Sequence, residues 1–274
     1  MKEEKRNKDI LDFIQNGPTD KSPKKMNKKD VQRKIKDAAF WIIWPIICFY
    51  AAQYIVSYGL LWILGRDRLV SLQGDSVFTA SLQAIMYAVI FCAVFIIPKK
   101  YFKKTITKEE LGFKVSLPTW SDIGLGISGL VVAMILSGIF TAIVASFVGG
   151  FDMAEPQNLG FDNVIQPYQF IIAFLTLVVA APVFEELIFR GVMYGQLRKI
   201  SPWLAIVIVS VLFGAAHGQW NVGVTTFAMS LVMCFIREKF TDTIWAAIIL
   251  HMFKNAIAFY LLFMAPSLIQ NIMQ

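Results

Sequence analysis

The chain has 274 residues, of which 57% are hydrophobic and 16% are charged, and its formal net charge is +7. Soluble domains carry about 25% charged residues and at most about half apolar ones, so this composition excludes an ordinary water-soluble globule. The apolar residues are gathered into long blocks that short polar segments separate, which is typical of membrane proteins. The sequence therefore predicts an all-α fold, a polytopic bundle of membrane helices.

Seven apolar blocks approach the length of about 20 residues that a helix needs to cross a bilayer. The fifth and sixth blocks are short, and we expect them to continue into their polar flanks. We predict about seven transmembrane helices, with eight as the alternative. The blocks are residues 39–64, 77–98, 123–148, 170–189, 202–216, 222–236 and 243–264.

Basic residues recur on alternate connections between these blocks. They crowd the polar segment 1–38 and the segment 99–114, and they follow the fourth and sixth blocks, whereas the loop 149–168 contains none. The positive-inside rule then places the N-terminus in the cytoplasm, and we expect residues 1–38 to form a flexible cytoplasmic tail. The positive charge indicates attraction to anionic membrane lipid, and no nucleic-acid partner is expected.

The third block contains a glycine pattern that resembles a nucleotide-binding motif. Gly124, Gly126 and Gly129 match the dinucleotide-binding fingerprint letter by letter, but that fingerprint works only between a strand and a helix. Inside an apolar helix, small residues of this kind let a neighbouring helix approach closely. We expect that packing role here.

Ionisable side chains within the later apolar blocks are the candidates for function, because such groups are costly inside a membrane and usually face a bundle interior. Glu186 and Arg190 are i,i+4 neighbours on one helix face and can pair. Glu185 points about 100° away from Glu186, so it is the carboxylate left for chemistry. Pro182, one turn earlier, is expected to kink the helix.

Both histidines of the chain lie in the same region. Glu185 and His217 lie at similar distances from residues 200–201, where the fourth and fifth blocks join, at about 1.5 Å per residue. An antiparallel hairpin therefore brings them to the same height. His251 and Asn255 share one face of the last block, where the amide can orient the imidazole or bind an oxyanion; a plain helix–helix polar contact is the alternative.

Three motifs therefore follow one another on apolar segments. In order, they are Glu185-Glu186-x-x-x-Arg190, Phe213-x-x-x-His217 and His251-x-x-x-Asn255. Together they resemble the motifs of the CAAX prenyl protease type II and bacteriocin-processing family, also called the Abi family, over about residues 122–264. The resemblance implies an intramembrane peptidase in which Glu185 and His217 activate water and His251 with Asn255 binds the scissile carbonyl.

The resemblance covers only residues 122–264, and the apolar blocks and polar segments supply the organisation of the rest of the chain. Residues 1–38 form the tail, residues 39–121 two membrane helices with a basic loop, residues 122–264 the protease domain and residues 265–274 a short C-terminal tail. The expected partners are membrane lipid and a peptide or protein substrate, with a lipidated substrate as one form. The absence of an organelle-targeting signal favours a bacterial cell membrane.

Two alternatives remain open from the residues. Glu185, His217 and His251 form a donor set of the kind that binds catalytic zinc, although the chain has no His-Glu-x-x-His motif, and we favour hydrolysis without a metal or other cofactor. The other alternative is a non-catalytic protein of the same fold, namely a scaffold, a bacteriocin immunity factor or a transporter that uses these charges as a proton relay. A transporter would suggest inverted repeats, and none is evident.

Overall fold

The structure is a computed structural model that describes residues 27–113, 117–153, 155 and 157–266. Within these residues the chain forms helices and no β-strand, which confirms the predicted all-α bundle. Residues 1–26 of the predicted tail and residues 267–274 lie outside the described part. The helices are α1 (Lys28–Leu64), α2 (Arg66–Ser71), α3 (Ser76–Phe102), α4 (Lys108–Leu111), α5 (Trp120–Phe147), α6 (Pro167–Leu197), α7 (Pro202–Ala215), α8 (Trp220–Lys239) and α9 (Trp245–Met264).

Helix α1 begins earlier than the first predicted membrane span. The Asn27 side chain caps the helix by accepting a hydrogen bond from the Lys29 backbone N–H, as an N-cap residue does. Residues 28–38, which we expected to belong to a flexible tail, are therefore helical. Asp75 caps α3 in the same way by accepting from the Phe78 N–H at 2.8 Å.

In the described part of the chain, six helices are long and apolar enough to cross a membrane, namely α1, α3, α5, α6, α8 and α9. Helix α7 has 14 residues, so at 1.5 Å per residue it extends about 21 Å, less than the bilayer core of about 30 Å. The fifth predicted span is therefore a short helix, whereas α8 continues into its polar flanks as expected. The bundle agrees with the predicted count of about seven helices.

The turn between α7 and α8 carries His217, whose side chain is partly buried. Gly218 follows with a φ of 66°, a backbone conformation that glycine adopts without strain. The loop before α6 packs over this turn, because the Asn221 amide donates to the carbonyls of Met153 at 3.3 Å and Glu155 at 2.9 Å.

The glycines of α5 allow close helix packing. A Cβ atom on Gly126 would lie 2.6 Å from the Ile249 side chain of α9, and one on Gly129 would lie 2.5 Å from Ile236 of α8. Such distances are shorter than carbon atoms tolerate. The predicted packing role is thus confirmed for these two glycines, whereas Gly124 has open space around it.

The apolar core has two main clusters, and α6 to α8 connect them. One cluster packs α1 and α3 against α6 and α7, with Val94, Val192 and Val209 fully buried. The other packs α5 against α8 and α9 and contains Phe213 of α7. Phe189 of α6 contacts both clusters, so the ionisable residues of α6 lie at the junction.

Candidate active site

A cavity of about 470 Å³ opens beside α6. Its walls come from α1, α3, α6 and α7, together with Gln157 from the loop between α5 and α6. The lining residues include none from α9. The polar side chains among the described lining residues are Tyr50, Gln83, Tyr87, Gln157, Glu185 and His217.

Glu186 and Arg190 form a fully buried ion pair, as their i,i+4 spacing predicts. Arg190 Nη1 donates to Glu186 Oε1 at 3.1 Å, and Arg190 Nε lies 3.0 Å from Oε2. The guanidinium also lies over the Phe213 ring at 4.3 Å, a favourable cation–π geometry. Both side chains have no exposure, so neither charge can be removed without leaving the other unpaired.

Glu185 has a different environment from Glu186. Its side chain is 28% exposed and lines the cavity, on the same stretch of α6 as the buried pair. The two adjacent carboxylates therefore have the separate positions that the helical geometry predicts. Of the two glutamates, only Glu185 can contact a substrate that enters the cavity.

His251 of α9 connects the two glutamates. Its Nδ1 lies 2.9 Å from Glu186 Oε1, and a carboxylate paired with Arg190 can only accept, so Nδ1 is the donor. Its Nε2 lies 4.0 Å from Glu185 Oε2. The bond to Glu186 thus fixes the tautomer and the orientation of the imidazole, in the way that an outer partner orients a catalytic histidine.

His217 lies at the end of α7 and lines the cavity with Glu185, as the hairpin argument predicts. Its Nδ1 lies 2.8 Å from the Phe213 carbonyl, which can only accept. Nε2 is therefore the ring nitrogen available to water or substrate. The Phe213 ring contacts both imidazoles edge-on, at 5.1 Å from His217 and 5.7 Å from His251.

Asn255 makes a helix–helix polar contact, the alternative that the sequence left open for this residue. Its Nδ2 donates to the Leu177 carbonyl at 2.8 Å, within a stretch of α6 where Ala181 N–H bonds the Thr176 carbonyl in an i→i+5 pattern. In that pattern the backbone N–H of residue 182 would donate to the Leu177 carbonyl, but Pro182 has no N–H. Asn255 supplies the missing donor.

The backbone of α6 therefore departs from regular helix on both sides of the glutamates. Wide i→i+5 turns occur at Leu175–Ala180 and at Leu187–Tyr194, and turns of this type are frequent at functional sites. The expected effect of Pro182 was a kink. The structure has a widened turn immediately before Pro182, stabilised from α9, and helix kinks are found at turns of this type.

Sequence reasoning missed two further features of the site. One is Lys254, which follows His251 by three residues on the same face of α9. The sequence did mark it, since it is an ionisable residue in an apolar block. Gln83 and Tyr87 of α3 line the cavity. No local pattern in the sequence marks them, because their importance depends on which helix α3 packs against.

The three candidate metal ligands do not form a ready-made donor set. Among the described residues, no group of three or more His, Cys, Asp or Glu side chains is arranged to hold a metal ion. Both Nδ1 atoms of the histidines are directed to protein acceptors. The question of a metal is therefore one for a chelation experiment.

The fold and these side chains define an integral membrane helical protein with a buried glutamate–histidine site. Residues 167–257 match the family described as type II CAAX prenyl endopeptidase Rce1-like. All six predicted site residues fall within this range, so the match includes the whole predicted site. The matched range is narrower than residues 122–264, and it leaves out α1, α3 and α5.

Curated relatives have the same membrane character. The chain is 30% identical over 155 residues to "Putative membrane peptidase YdiL" of Bacillus subtilis, a match that covers 56% of this chain and 61% of that protein. It is 23% identical over 181 residues to "Membrane-embedded CAAX protease MroQ" of Staphylococcus aureus, covering 64% and 70% respectively. No solved structure gives a significant match to the chain.

Proposed function

We propose that this protein is an intramembrane endopeptidase that hydrolyses a peptide bond of a membrane-associated protein or peptide. The observation that carries the proposal is the difference in environment between the adjacent Glu185 and Glu186. Glu186 is enclosed by Arg190 and His251, whereas Glu185 faces a cavity that also contains His217. A carboxylate and an imidazole on the wall of one cavity are suited to hold and deprotonate a water molecule.

The proposed reaction needs no group beyond water and these side chains. Glu185 accepts a proton from a water molecule that His217 helps to position, and the water oxygen adds to the scissile carbonyl carbon. The π electrons of the carbonyl move to its oxygen, which becomes an oxyanion. When the tetrahedral intermediate collapses, the C–N bond breaks and the proton passes from Glu185 to the departing amine nitrogen.

The position of the cavity within the bundle supports a substrate that is associated with the membrane. Its walls are membrane helices, so the substrate is a segment that reaches the site from the membrane. Two classes agree with the resemblance of the motifs, a CAAX-type lipidated C-terminus and a bacteriocin or signalling peptide. We propose the second class, in a bacterial cell membrane, since both relatives described above come from bacteria.

We propose that the N-terminus is cytoplasmic. The helix ends at Lys99–Lys104, Arg198–Lys199 and Arg237–Lys239 are basic, whereas the loop between α5 and α6 carries acidic residues and no basic ones, which is the asymmetry of the positive-inside rule. Reporter fusions at the two ends test this orientation. Reporter activity that places the N-terminus outside would overturn it.

Comparative peptidomics tests the function. Cells that express the intact protein are compared with cells that express Glu185→Gln, which keeps the size of the side chain but removes its basicity. Glu109→Gln serves as a control, because Glu109 is an exposed carboxylate on α4. We expect one set of peptides to depend on the intact protein and on the control variant but to be lost with Glu185→Gln.

The opposite result is equally informative. Identical peptide pools from cells with the intact protein and with Glu185→Gln, at equal levels of inserted protein, would refute the peptidase proposal. The same fold would then act as a scaffold or an immunity factor.

A further inference from the structure

A peptidase of the proposed type needs a hydrogen-bond donor for the oxyanion. Negative charge on the carbonyl oxygen is costly in a site enclosed by apolar helices, and fixed donors are the usual means of stabilising it. The resemblance assigns that role to His251 and Asn255. In the structure, however, the Asn255 amide donates to the Leu177 carbonyl, and His251 Nδ1 donates to Glu186.

The cavity wall offers another donor on α3. The Gln83 amide Nε2 donates to the Tyr87 hydroxyl oxygen at 2.7 Å, which is the one hydrogen bond that Tyr87 makes among the described residues. A phenol that accepts a hydrogen bond still has its own O–H to donate. Acceptance from Gln83 also polarises that O–H, so the bond that it donates becomes stronger.

The ring of Tyr87 is held next to the proposed base. It stacks on Phe184 with a centroid distance of 4.3 Å and an interplanar angle of 23°, and Phe184 precedes Glu185 on α6. Tyr87 and Glu185 both line the cavity. The hydroxyl is thus fixed by a ring on one side and by an amide on the other, as a preorganised donor requires.

We infer that Tyr87, oriented by Gln83, is a catalytic residue that donates its hydroxyl hydrogen bond to the carbonyl oxygen of the substrate as that oxygen becomes an oxyanion. This inference rests on the proposed peptidase function. It gives α3 a chemical role, although α3 lies outside the matched range 167–257. The N-terminal helices then complete the active site of the domain.

The experiment uses the full chain in detergent micelles and a quenched fluorescent peptide whose sequence is that of a peptide identified by the peptidomic comparison. Tyr87→Phe removes only the hydroxyl and keeps the ring stacked on Phe184. We expect kcat to fall by about 10²–10³-fold, the typical effect of losing one oxyanion donor, while KM and the thermal unfolding midpoint stay near those of the intact protein. Tyr58→Phe is the control, since Tyr58 is an exposed residue on α1 that stacks on Tyr54.

An aldehyde analogue of the same peptide, whose hydrate is tetrahedral, separates an oxyanion donor from a residue that only supports Glu185. Its affinity should fall in parallel with kcat in Tyr87→Phe, because a donor to the transition state also binds a tetrahedral analogue. Gln83→Met should show a smaller loss of the same kind. If Tyr87→Phe does not fold, the kcat of Gln83→Met tests the inference in its place.

Several outcomes would overturn the inference. They are a kcat of Tyr87→Phe within about threefold of the intact protein, a loss confined to KM, a loss that follows the fraction of folded protein, and unchanged affinity for the aldehyde. An unchanged kcat in Gln83→Met would do so where Tyr87→Phe is unfolded. If Glu185→Gln is inactive while Tyr87→Phe is normal, only this inference fails; an active Glu185→Gln, or no dependent peptide at all, removes the peptidase function itself.

Discussion

Nδ1 of His251 lies 2.9 Å from Oε1 of Glu186, so an imidazole on α9 is hydrogen-bonded to a carboxylate on α6 that is itself paired with Arg190. All three side chains are buried. The contact joins the last helix to the helix that carries Glu185, and it sets the direction of Nε2. Glu186 therefore serves the site by fixing other groups.

Loss of Arg190 should unfold the protein as well as inactivate it. Arg190→Ala leaves the Glu186 carboxylate buried without its cation, a change that costs about 3–5 kcal/mol. Arg190→Lys should be milder, because it keeps the charge but lacks the planar fork. Thermal unfolding of the purified protein in detergent measures both effects.

Arg198, which directly follows the end of α6, is the control for this prediction. Arg198 pairs with Glu238 at 2.8 Å, but the two side chains are 28% and 15% exposed, so Arg198→Ala should cost at most about 1 kcal/mol. Equal stability of Arg190→Ala and the intact protein would show that the buried pair is not needed for folding.

Asn255→Ala should destabilise α6 through the Leu177 carbonyl, which then has no donor. An unsatisfied buried carbonyl costs about 1–3 kcal/mol. Pro182→Ala supplies a backbone N–H at the position that the i→i+5 pattern requires. The double variant should therefore regain both the unfolding midpoint and the activity that Asn255→Ala loses.

This pair of substitutions separates two roles for Asn255. If the amide also binds the oxyanion, the double variant will regain stability without regaining kcat. Melting curves and kcat measured on the same preparations distinguish the two cases.

The relation between sequence and structure differs from helix to helix. The pairing of Glu186 with Arg190 and the shared height of Glu185 and His217 follow from helical spacing alone, since local geometry determines both. The same holds for Gly126 and Gly129, whose place in an apolar helix indicates close packing. These features depend only on spacing within one helix or across one hairpin of consecutive helices.

The features that were missed depend on contacts between distant segments. Tyr87 becomes part of the site only because α3 packs beside α6, at Phe184. The bond from Asn255 to Leu177 depends on a widened turn that no residue pattern specifies. Tertiary packing decides such contacts, and single-sequence spacing carries no information about it.

Lys254 should contribute to catalysis by its charge. It follows His251 by three residues on the same face of α9, and His251 Nε2 lies 4.0 Å from Glu185 Oε2. A cation on this face favours the negative charge that develops on the substrate. Lys254→Met should lower kcat by about tenfold, which corresponds to about 1.4 kcal/mol, whereas Lys254→Arg should retain most activity. Lys239→Met is the control, because Lys239 is exposed at the end of α8.

The same kinetic assay decides whether Lys254 acts in this way. A normal kcat in Lys254→Met, with normal insertion and stability, would contradict the prediction and leave Lys254 as a packing residue.

Chelation should leave the activity of the intact protein unchanged. In the structure Glu186 is paired with Arg190, both histidines direct Nδ1 to protein acceptors, and the described residues contain no group of three donors arranged for a metal ion.

The protein is dialysed against a strong chelator, its zinc content is measured by elemental analysis, and hydrolysis of the identified peptide is followed before and after zinc is added back. We expect equal rates throughout, against a background set by Glu185→Gln, which should be slower by about 10²–10⁴-fold because it lacks the general base. Activity that disappears on dialysis and returns with about one zinc ion per chain would instead identify Glu185, His217 and His251 as ligands that rearrange around a metal.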